Sequence, residues 1–249
     1  VGVIENQSLS NGLVGYWKMD ECQGTTINDS SGNGNNGIIA IGITAPQTTA
    51  GTCLAPTNGT GAWYNGAFGK FNASLKFDGA DDYASVPYNA LLNQINTVTL
   101  SAWIKYTTTA NTVVIEKSNN NTHYQFQVFP SGFGSGLGGE IVFMLQPDSG
   151  NWVLAKERSN DGQWHHIVGT YDRTTTTAKI YIDGVLKNTN NGITTGPTSN
   201  SSPLLMGSRS GAGGFGGSVD EVRIYNRVLS LVEVQQLYNY ASGPFLSVF

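Results

Sequence analysis

The stretch Ser218–Tyr238 reads SVDEVRIYNRVLSLVEVQQLY and contains a strand, a turn and a helix in quick succession. Val219–Tyr225 contains the β-branched and aromatic residues that are typical of a strand. Ser230 and Glu233 then form the S-x-x-E pattern of a helix-starting capping box. Apolar residues follow at helical spacing, at Leu231, Val234, Leu237 and Tyr238. The stretch predicts a last strand followed by one short C-terminal helix.

The rest of the chain consists of short strand-like segments without a helical pattern between them. Val98–Tyr106 shows the alternation most clearly. Asp183-Gly184 is a dipeptide typical of hairpin turns, because both residues tolerate positive φ. Many short strands joined by turns favour an all-β fold. We therefore predict a single antiparallel β-sandwich with a short C-terminal helix.

Several motifs, taken together and in chain order, resemble the laminin-G-like, concanavalin-A-like jelly rolls of bacterial and archaeal surface proteins. The resemblance extends from about Gly12 to Tyr240, and it implies a sandwich that binds or builds without doing chemistry. Besides Ser218–Tyr238, the motifs are GLVGYWKMDECQGTTINDSSGNGNNG (Gly12–Gly37), SLKFDGADDY (Ser74–Tyr83), LSAWIK (Leu100–Lys105), QWHHIVGTYD (Gln163–Asp172) and IYIDGVLK (Ile180–Lys187).

These motifs define the expected domain organisation. Residues 1–11 precede the first family-like strand and are interpreted as an arm or linker. Residues 12–242 form the predicted laminin-G-like β-sandwich domain. Residues 243–249 form a short apolar tail, GPFLSVF. Because apolar side chains gain free energy on burial, we expect this tail to pack on its own sandwich or on a second copy.

Composition narrows the classes of partner. The 249-residue chain has a formal net charge of −4, and only 12% of its residues are charged. It contains no basic run of the kind that binds phosphate backbones, so we expect no nucleic-acid partner. No apolar stretch approaches the length of a membrane span. Abundant Gly, Asn, Thr and Ser with little Lys or Glu favours an extracellular or cell-surface location.

The two cysteines, Cys22 and Cys53, lie in loop-like sequence. Two cysteines alone cannot build a zinc site, and a disulfide is typical of exported proteins. We predict a Cys22–Cys53 disulfide, with two free thiols as the alternative. Such a bond would stabilise the fold by about 3 kcal/mol.

Oxygen-rich residues after the first strand suggest a structural calcium ion. Asp29, Asn33 and Asn36 lie in one Gly-rich loop, and calcium prefers six to eight hard oxygen ligands. Asp220 would share a strand face with the core-facing Val222. In the family the first and last strands are close, which implies that Asp220 lies near the loop. In the alternative, Asp29 caps a turn and Asp220 accepts backbone N–H bonds.

A second acidic pair, Asp81-Asp82, follows Phe77-Asp-Gly. Related pentraxins place calcium ligands at a comparable position and complete the site with an acidic loop before the last strand. Here the corresponding loop, Gly207–Gly216, contains no carboxylate. We therefore interpret Asp81 and Asp82 as turn-building residues.

Aromatic residues in loops or at strand ends are the candidates for glycan binding. Trp63 and Tyr64 lie in a long loop, and Trp152 begins a strand. Exposed rings of this kind can stack on the apolar faces of sugars. The alternative for Trp63-Tyr64 is a small core that anchors the loop, since burial is the commoner use of large aromatics.

Paired catalytic carboxylates are not recognisable in the sequence. No E-x-D-x-x-E run occurs, and Asp220 and Glu221 are adjacent, so that on a regular strand they point to opposite faces. We therefore predict a non-catalytic recognition or adhesion module that binds a glycan or a surface protein. The alternative is a self-associating structural subunit of a cell-surface filament or layer. A glycoside hydrolase or lyase of the same fold is the least favoured hypothesis.

Overall fold

The structure, a computed structural model, describes residues 9–54, 60–65, 67–117, 124–131, 138–146, 151–208 and 214–239. It contains two short helical segments, α1 (Ala62–Asn65) and a 3₁₀ turn (Ala90–Leu92), and a longer helix, α2 (Leu231–Asn239). The strands are β1 (Leu13–Trp17), β2 (Thr26–Ile27), β3 (Gly37–Ala40), β4 (Leu75–Asp78), β5 (Tyr83–Val86), β6 (Thr97–Tyr106), β7 (Thr112–Lys117), β8 (Tyr124–Phe129), β9 (Glu140–Gln146), β10 (Asn151–Arg158), β11 (Trp164–Asp172), β12 (Thr177–Ile182), β13 (Val185–Asn190), β14 (Leu204–Met206) and β15 (Gly216–Tyr225).

These strands form two antiparallel sheets. The seven-stranded sheet has the order β1-β15-β6-β11-β12-β13, and β4 also pairs with β15. The eight-stranded sheet has the order β10-β9-β8-β7-β14-β5-β3-β2. The two sheets pack face to face and enclose one large apolar core, which confirms the predicted β-sandwich.

The alternation predicted for β6 is confirmed. Its inner residues lie in the core between the sheets, whereas its other face forms the outer surface of the seven-stranded sheet. The core-facing set is Val98, Leu100, Ala102, Ile104 and Tyr106. Several strands that are neighbours in this sheet are far apart along the chain. The outer surface therefore contains residues from β4, β6, β11 and β15.

Helix α2 covers part of that outer surface, with the predicted capping box in place. The Glu233 amide donates to Ser230 Oγ over 3.3 Å, and the Ser230 amide donates to Glu233 Oε2 over 2.8 Å. Val234 and Leu237 are buried against the sheet. Leu231, which the helical spacing assigns to the apolar face, is instead 47% exposed.

Strand β15 contains a bulge that changes which residues face the core. The register with β6 shifts between Asp220 and Arg223, and Glu221 has a positive φ of 53°. Val219 and Val222 are consequently both in the core, although they are three positions apart. The expectation that Asp220 shares the core-facing side with Val222 is therefore wrong. Asp220 lies on the outer side of the sheet, opposite Trp103 of β6.

The Asp183-Gly184 hairpin is also present, between β12 and β13. Both residues have positive φ, 52° and 75°. The predicted arm, except for its residues 9–11, and the predicted tail lie outside the described residues. In the part of the chain described, no helix has the length and apolar character needed to cross a membrane.

Candidate functional site: a cleft on the outer face of the seven-stranded sheet

A row of side chains crosses the outer face of the seven-stranded sheet near the start of β15. Ser218 stands opposite Lys76 on one neighbouring strand and opposite Lys105 on the other. Trp164 of β11 continues the row beside Lys105. Residues opposite one another in an antiparallel pair share a face, so these four side chains form one line across the sheet.

Lys76, Lys105 and Ser218 of this row line an open cleft with a volume of about 290 Å³. Two glycines, Gly216 and Gly217, contribute backbone without side chains. A Cβ added at Gly216 would meet no atom closer than 3.6 Å, so the glycine leaves real space on this side. Among the described residues, the lining is Phe68, Lys76, Lys105, Tyr106, Thr107, Gly162, Gly216, Gly217 and Ser218.

Phe68 of the cleft lining belongs to the segment 67–74, which is held on the sheet by Asp220. The amides of Lys70 and Phe71 donate to Asp220 Oδ2 over 2.8 and 3.0 Å. Lys70 Nζ lies 4.1 Å from the centre of the Trp103 ring, and Phe71 meets the same ring edge-on. This anchoring leaves Phe68 at the rim of the cleft with 91% of its surface exposed.

Asp220 is fully buried, and one of its oxygens, Oδ1, has no hydrogen-bond partner in the described part of the chain. Burial raises the pKa of its carboxyl to about 8, while the Phe71 and Lys70 amides act in the opposite direction and the negative charges of Glu221 and Asp20 add to the rise. The group is therefore mainly protonated at neutral pH, as a neutral anchor for the segment.

An acidic triad lies beside the cleft. Asp78, Asp81 and Asp82 bring one carboxylate oxygen each to within 4.8 Å of one another. Asp78 ends β4 directly opposite Gly216 of the cleft. Burial, and then the negative charges of Asp78 and Asp81, raise the pKa of the Asp82 carboxyl. Three carboxylates in this arrangement are a donor set suited to a hard divalent cation.

The loop 42–47 closes over the triad. The Ile43 and Thr44 amides and the Thr44 hydroxyl donate to Asp81 Oδ2 at 2.8–3.1 Å. The other oxygen, Asp81 Oδ1, is shielded from solvent and has no hydrogen-bond partner among the described residues. The side chain of Gln47 donates to Asp82 Oδ2 over 2.6 Å. The turn-building role expected of Asp81 and Asp82 thus coexists with one uncommitted carboxylate oxygen.

The predicted calcium loop is closed by its own hydrogen bonds. Asp29 Oδ1 accepts from the amides of Tyr16 and Ser31, at 2.9 and 2.8 Å. Its Oδ2 accepts from the Ser31 hydroxyl and the Asn35 amide, at 2.8 and 2.9 Å. Asn36 Oδ1 accepts from the Asp29 amide. Asp29 therefore caps turns in the way that the alternative interpretation described.

Two other members of the predicted calcium set are placed differently. Asn33 belongs to the same loop as Asp29, but its side-chain nitrogen donates to the carbonyls of Leu13 and Val14. Asp220 accepts its described hydrogen bonds from the separate segment 67–74. The loop and Asp220 thus take part in different hydrogen-bond networks.

The aromatic candidates differ from one another in exposure. Trp63 is fully buried, and its indole nitrogen donates to the carbonyl of Gly24 over 2.8 Å, as in the alternative of a loop-anchoring core. Its ring has no face for a sugar. Trp152 is partly buried and packs edge-on against Phe129 on the outer face of the eight-stranded sheet. The side chain of Tyr64 lies outside the described residues.

The predicted disulfide is confirmed, since Cys22 and Cys53 are bonded. The Cys53 amide also donates to the Cys22 carbonyl over 3.0 Å. The bond joins the loop after β1 to the long segment that carries α1, in which Trp63 is buried.

Comparisons with known proteins agree with this architecture. A laminin-G-like family described as "Concanavalin A-like lectin/glucanases superfamily" matches residues 78–235. The chain is 25% identical over 187 residues to the rat (Rattus norvegicus) protein "Sushi, von Willebrand factor type A, EGF and pentraxin domain-containing protein 1". That match covers 66% of this chain but only 5% of the rat protein.

Two solved structures illustrate the fold. Domain 4 of AbnA, an extracellular arabinanase of glycoside hydrolase family 43 from Geobacillus stearothermophilus, solved with arabinotriose, has a TM-score of 0.64 and 21% identity. The similarity covers 91% of this chain and 98% of that domain. The binding domain of botulinum neurotoxin DC, solved with rat synaptotagmin II, has a TM-score of 0.64 and 12% identity, over 93% of this chain and 52% of that one. The family match spans well over half of the sequence, and the chain belongs to the concanavalin A-like lectin/glucanases superfamily.

Proposed function

We propose that this domain is a non-catalytic recognition module of an extracellular protein, and that it binds glycans in the cleft on the outer face of the seven-stranded sheet. The observation that carries the proposal is the cleft itself, with the almost fully exposed ring of Phe68 at its rim. Ligand sites are typically concave, with apolar surface and a few convergent polar groups, and this cleft has that composition.

The comparisons support a binding role. AbnA domain 4, which this chain matches over nearly its whole length, was solved with arabinotriose. The neurotoxin domain was solved with a protein, synaptotagmin II. A glycan is the better candidate here because an open cleft with glycine backbone, hydroxyls and one exposed ring suits a sugar. The disulfide is consistent with an extracellular location.

The arrangement of carboxylates supports a non-catalytic domain. Glu116 stands opposite Gln125, and Glu140 stands opposite Phe129, on the two sides of β8. Gln125 and Phe129 are roughly 13 Å apart along that strand. The carboxyl pairs of glycosidases are about 5–10 Å apart. These two glutamates are therefore poorly placed to flank one glycosidic bond.

A glycan array tests this proposal. We expect the wild-type domain to bind a restricted set of oligosaccharides, and the F68A variant to lose at least tenfold in affinity for them, because a sugar would stack on that ring. The matched control is V232A, which removes another exposed apolar side chain from the outer surface of α2. Absence of binding to any glycan, or equal loss in F68A and V232A, would contradict the proposal.

We also propose that the acidic triad of Asp78, Asp81 and Asp82 binds a structural calcium ion. The support is its three clustered carboxylates and the uncommitted Asp81 Oδ1. Once bound, the ion would neutralise the triad and fix the loop 42–47 at the edge of the cleft. The Asp29, Asn33, Asn36 and Asp220 set predicted from the sequence is the alternative site.

Calcium titration of the folded protein distinguishes these two sites. We expect calcium to raise the melting temperature of the wild type, since a ligand that binds only the folded state stabilises it. D81N should weaken calcium binding by at least tenfold, whereas D29N should bind calcium as the wild type does. The opposite pattern would move the ion to the Asp29 loop, and no thermal response to calcium in the wild type would rule out both sites.

A further inference from the structure

We infer that the cleft selects oligosaccharides that carry an anionic group, either a sugar carboxylate or a sulfate ester. This inference rests on the proposed glycan-binding function and specifies its ligand class. Of the described residues that line the cleft, Lys76 and Lys105 are the charged ones, and both are exposed. They bring two positive charges together on a protein whose net charge is −4.

The two lysines are placed to act on one anion. Each stands opposite Ser218, on the strands that flank it. Their backbones are therefore about 10 Å apart, two strand spacings. A lysine side chain extends far enough for both ammonium groups to approach a group bound above Ser218. The Ser218 hydroxyl lies on the same face between them and can donate to the same anion.

Neither lysine is paired with an acidic side chain in the part of the chain that the structure describes. Among the described residues, Lys76 and Lys105 form no ion pair, whereas Lys187, Arg223 and Arg227 each pair with a glutamate. Two unpaired positive charges about 10 Å apart repel each other weakly in the free protein. Binding of an anion between them removes this repulsion.

The carboxylates nearest to the cleft are engaged elsewhere. Asp78 accepts from the amides of Ala80 and Gln47. Asp161, next to Gly162 in the lining, accepts from the Gln163 amide and lies 3.1 Å from the ring nitrogen Nε2 of His165. A cation bound by the triad would offset the negative charge of its carboxylates on this side of the cleft.

The remaining lining suits the neutral part of a sugar. Gly216 leaves room over the backbone, and Phe68 offers an apolar ring. A volume of about 290 Å³ is at the lower end of the range for small-molecule sites, which is room for one or two sugar rings. The cleft thus combines a short oligosaccharide platform with a pair of positive charges.

Matched ligand pairs test the inference by calorimetry. Trigalacturonate is compared with its methyl ester, 3′-sialyllactose with lactose, and a sulfated disaccharide with its unsulfated parent. Within at least one pair, we expect the wild type to bind the anionic member at least tenfold more tightly, and this preference to shrink as salt is added. The pair that shows the preference distinguishes carboxylate from sulfate.

Three variants locate the effect. K76Q and K105Q should each lower affinity for the anionic ligand by about threefold and together by about tenfold, the range measured for exposed ion pairs. Affinity for neutral ligands should be unchanged. The control is K156Q, an exposed lysine on β10 of the other sheet. G216L fills the cleft and should abolish binding of both ligand types, because a Cβ at this position meets no close atom and the fold is kept.

The failures of the two proposals differ. The charge selectivity is overturned, and glycan binding is kept, if the wild type binds neutral and anionic glycans equally and K76Q and K105Q behave like K156Q. No binding of any glycan would overturn both proposals. Glycan binding that G216L leaves unchanged would show that the ligand occupies another surface, which also overturns this inference.

Discussion

Asp220 of β15 fixes the chain segment that carries Phe68 to the outer face of the seven-stranded sheet. It is fully buried, and its carboxyl holds the Lys70 and Phe71 amides, so that Phe68 lies at the cleft rim. Its position follows from the bulge at Glu221, a non-glycine residue with positive φ. Regular alternation assigns Asp220 to the core side, and no sequence signal marks a bulge at such a residue.

The raised pKa of Asp220 gives a testable pH dependence. Burial raises it from 3.8 to about 8, so between these two values the folded protein keeps a proton that the unfolded chain has lost. Stability from this group is complete below pH 4 and is lost as the pH rises towards 8. We expect D220N to remove this dependence and to be more stable than the wild type at pH 8. Between pH 4 and pH 8, the free energy of unfolding of D220N should rise by about 1–3 kcal/mol relative to that of the wild type.

Urea unfolding of the wild type and D220N at pH 4, 6 and 8 measures this difference. Both proteins should share the contributions of all other titrating groups, so the comparison isolates Asp220. Parallel stability curves over this range would show that the carboxyl ionises normally in the folded protein. A D220N variant that is less stable than the wild type only at pH 8 would point to a bound cation at Asp220 instead.

At the level of elements, the sequence predicts individual strands, turns and the C-terminal helix, but it does not predict which strands become neighbours in the sheets. Strand β6 and helix α2 follow from the local alternation and the Ser230–Glu233 capping box, because their signals lie within a single segment. The Asp183-Gly184 turn is predictable for the same reason. The disulfide follows from the presence of two cysteines in a chain that reads as exported.

The cleft is not visible in the sequence, since segments that are distant along the chain supply its lining. Lys76, Lys105 and Ser218 come from three strands that become neighbours only through the sheet order. The sequence shows the carboxylates of Asp78, Asp81 and Asp82 close together along the chain, but the loop 42–47 that closes over them is brought there by tertiary packing. Phe68 could be identified as a loop aromatic, while its exposure could not.

In the whole molecule, the two faces of the seven-stranded sheet differ in what they contact. The inner face contributes to the core of the sandwich. The outer face is divided between α2, which packs on Val168, Tyr181 and Tyr225, and the cleft near the start of β15. The β-sandwich is the fold of the family, whereas the candidate site is formed by residues that this chain carries on the outer face of that fold.

The most direct test of this account is a crystal structure of the domain with the oligosaccharide that it binds most tightly. We predict that the sugar lies in the outer-face cleft, with one ring against Phe68 and its anionic group within hydrogen-bond distance of the ammonium of Lys76 or Lys105. A sugar bound on the eight-stranded sheet, for example beside Trp152, with an empty outer-face cleft, would contradict it.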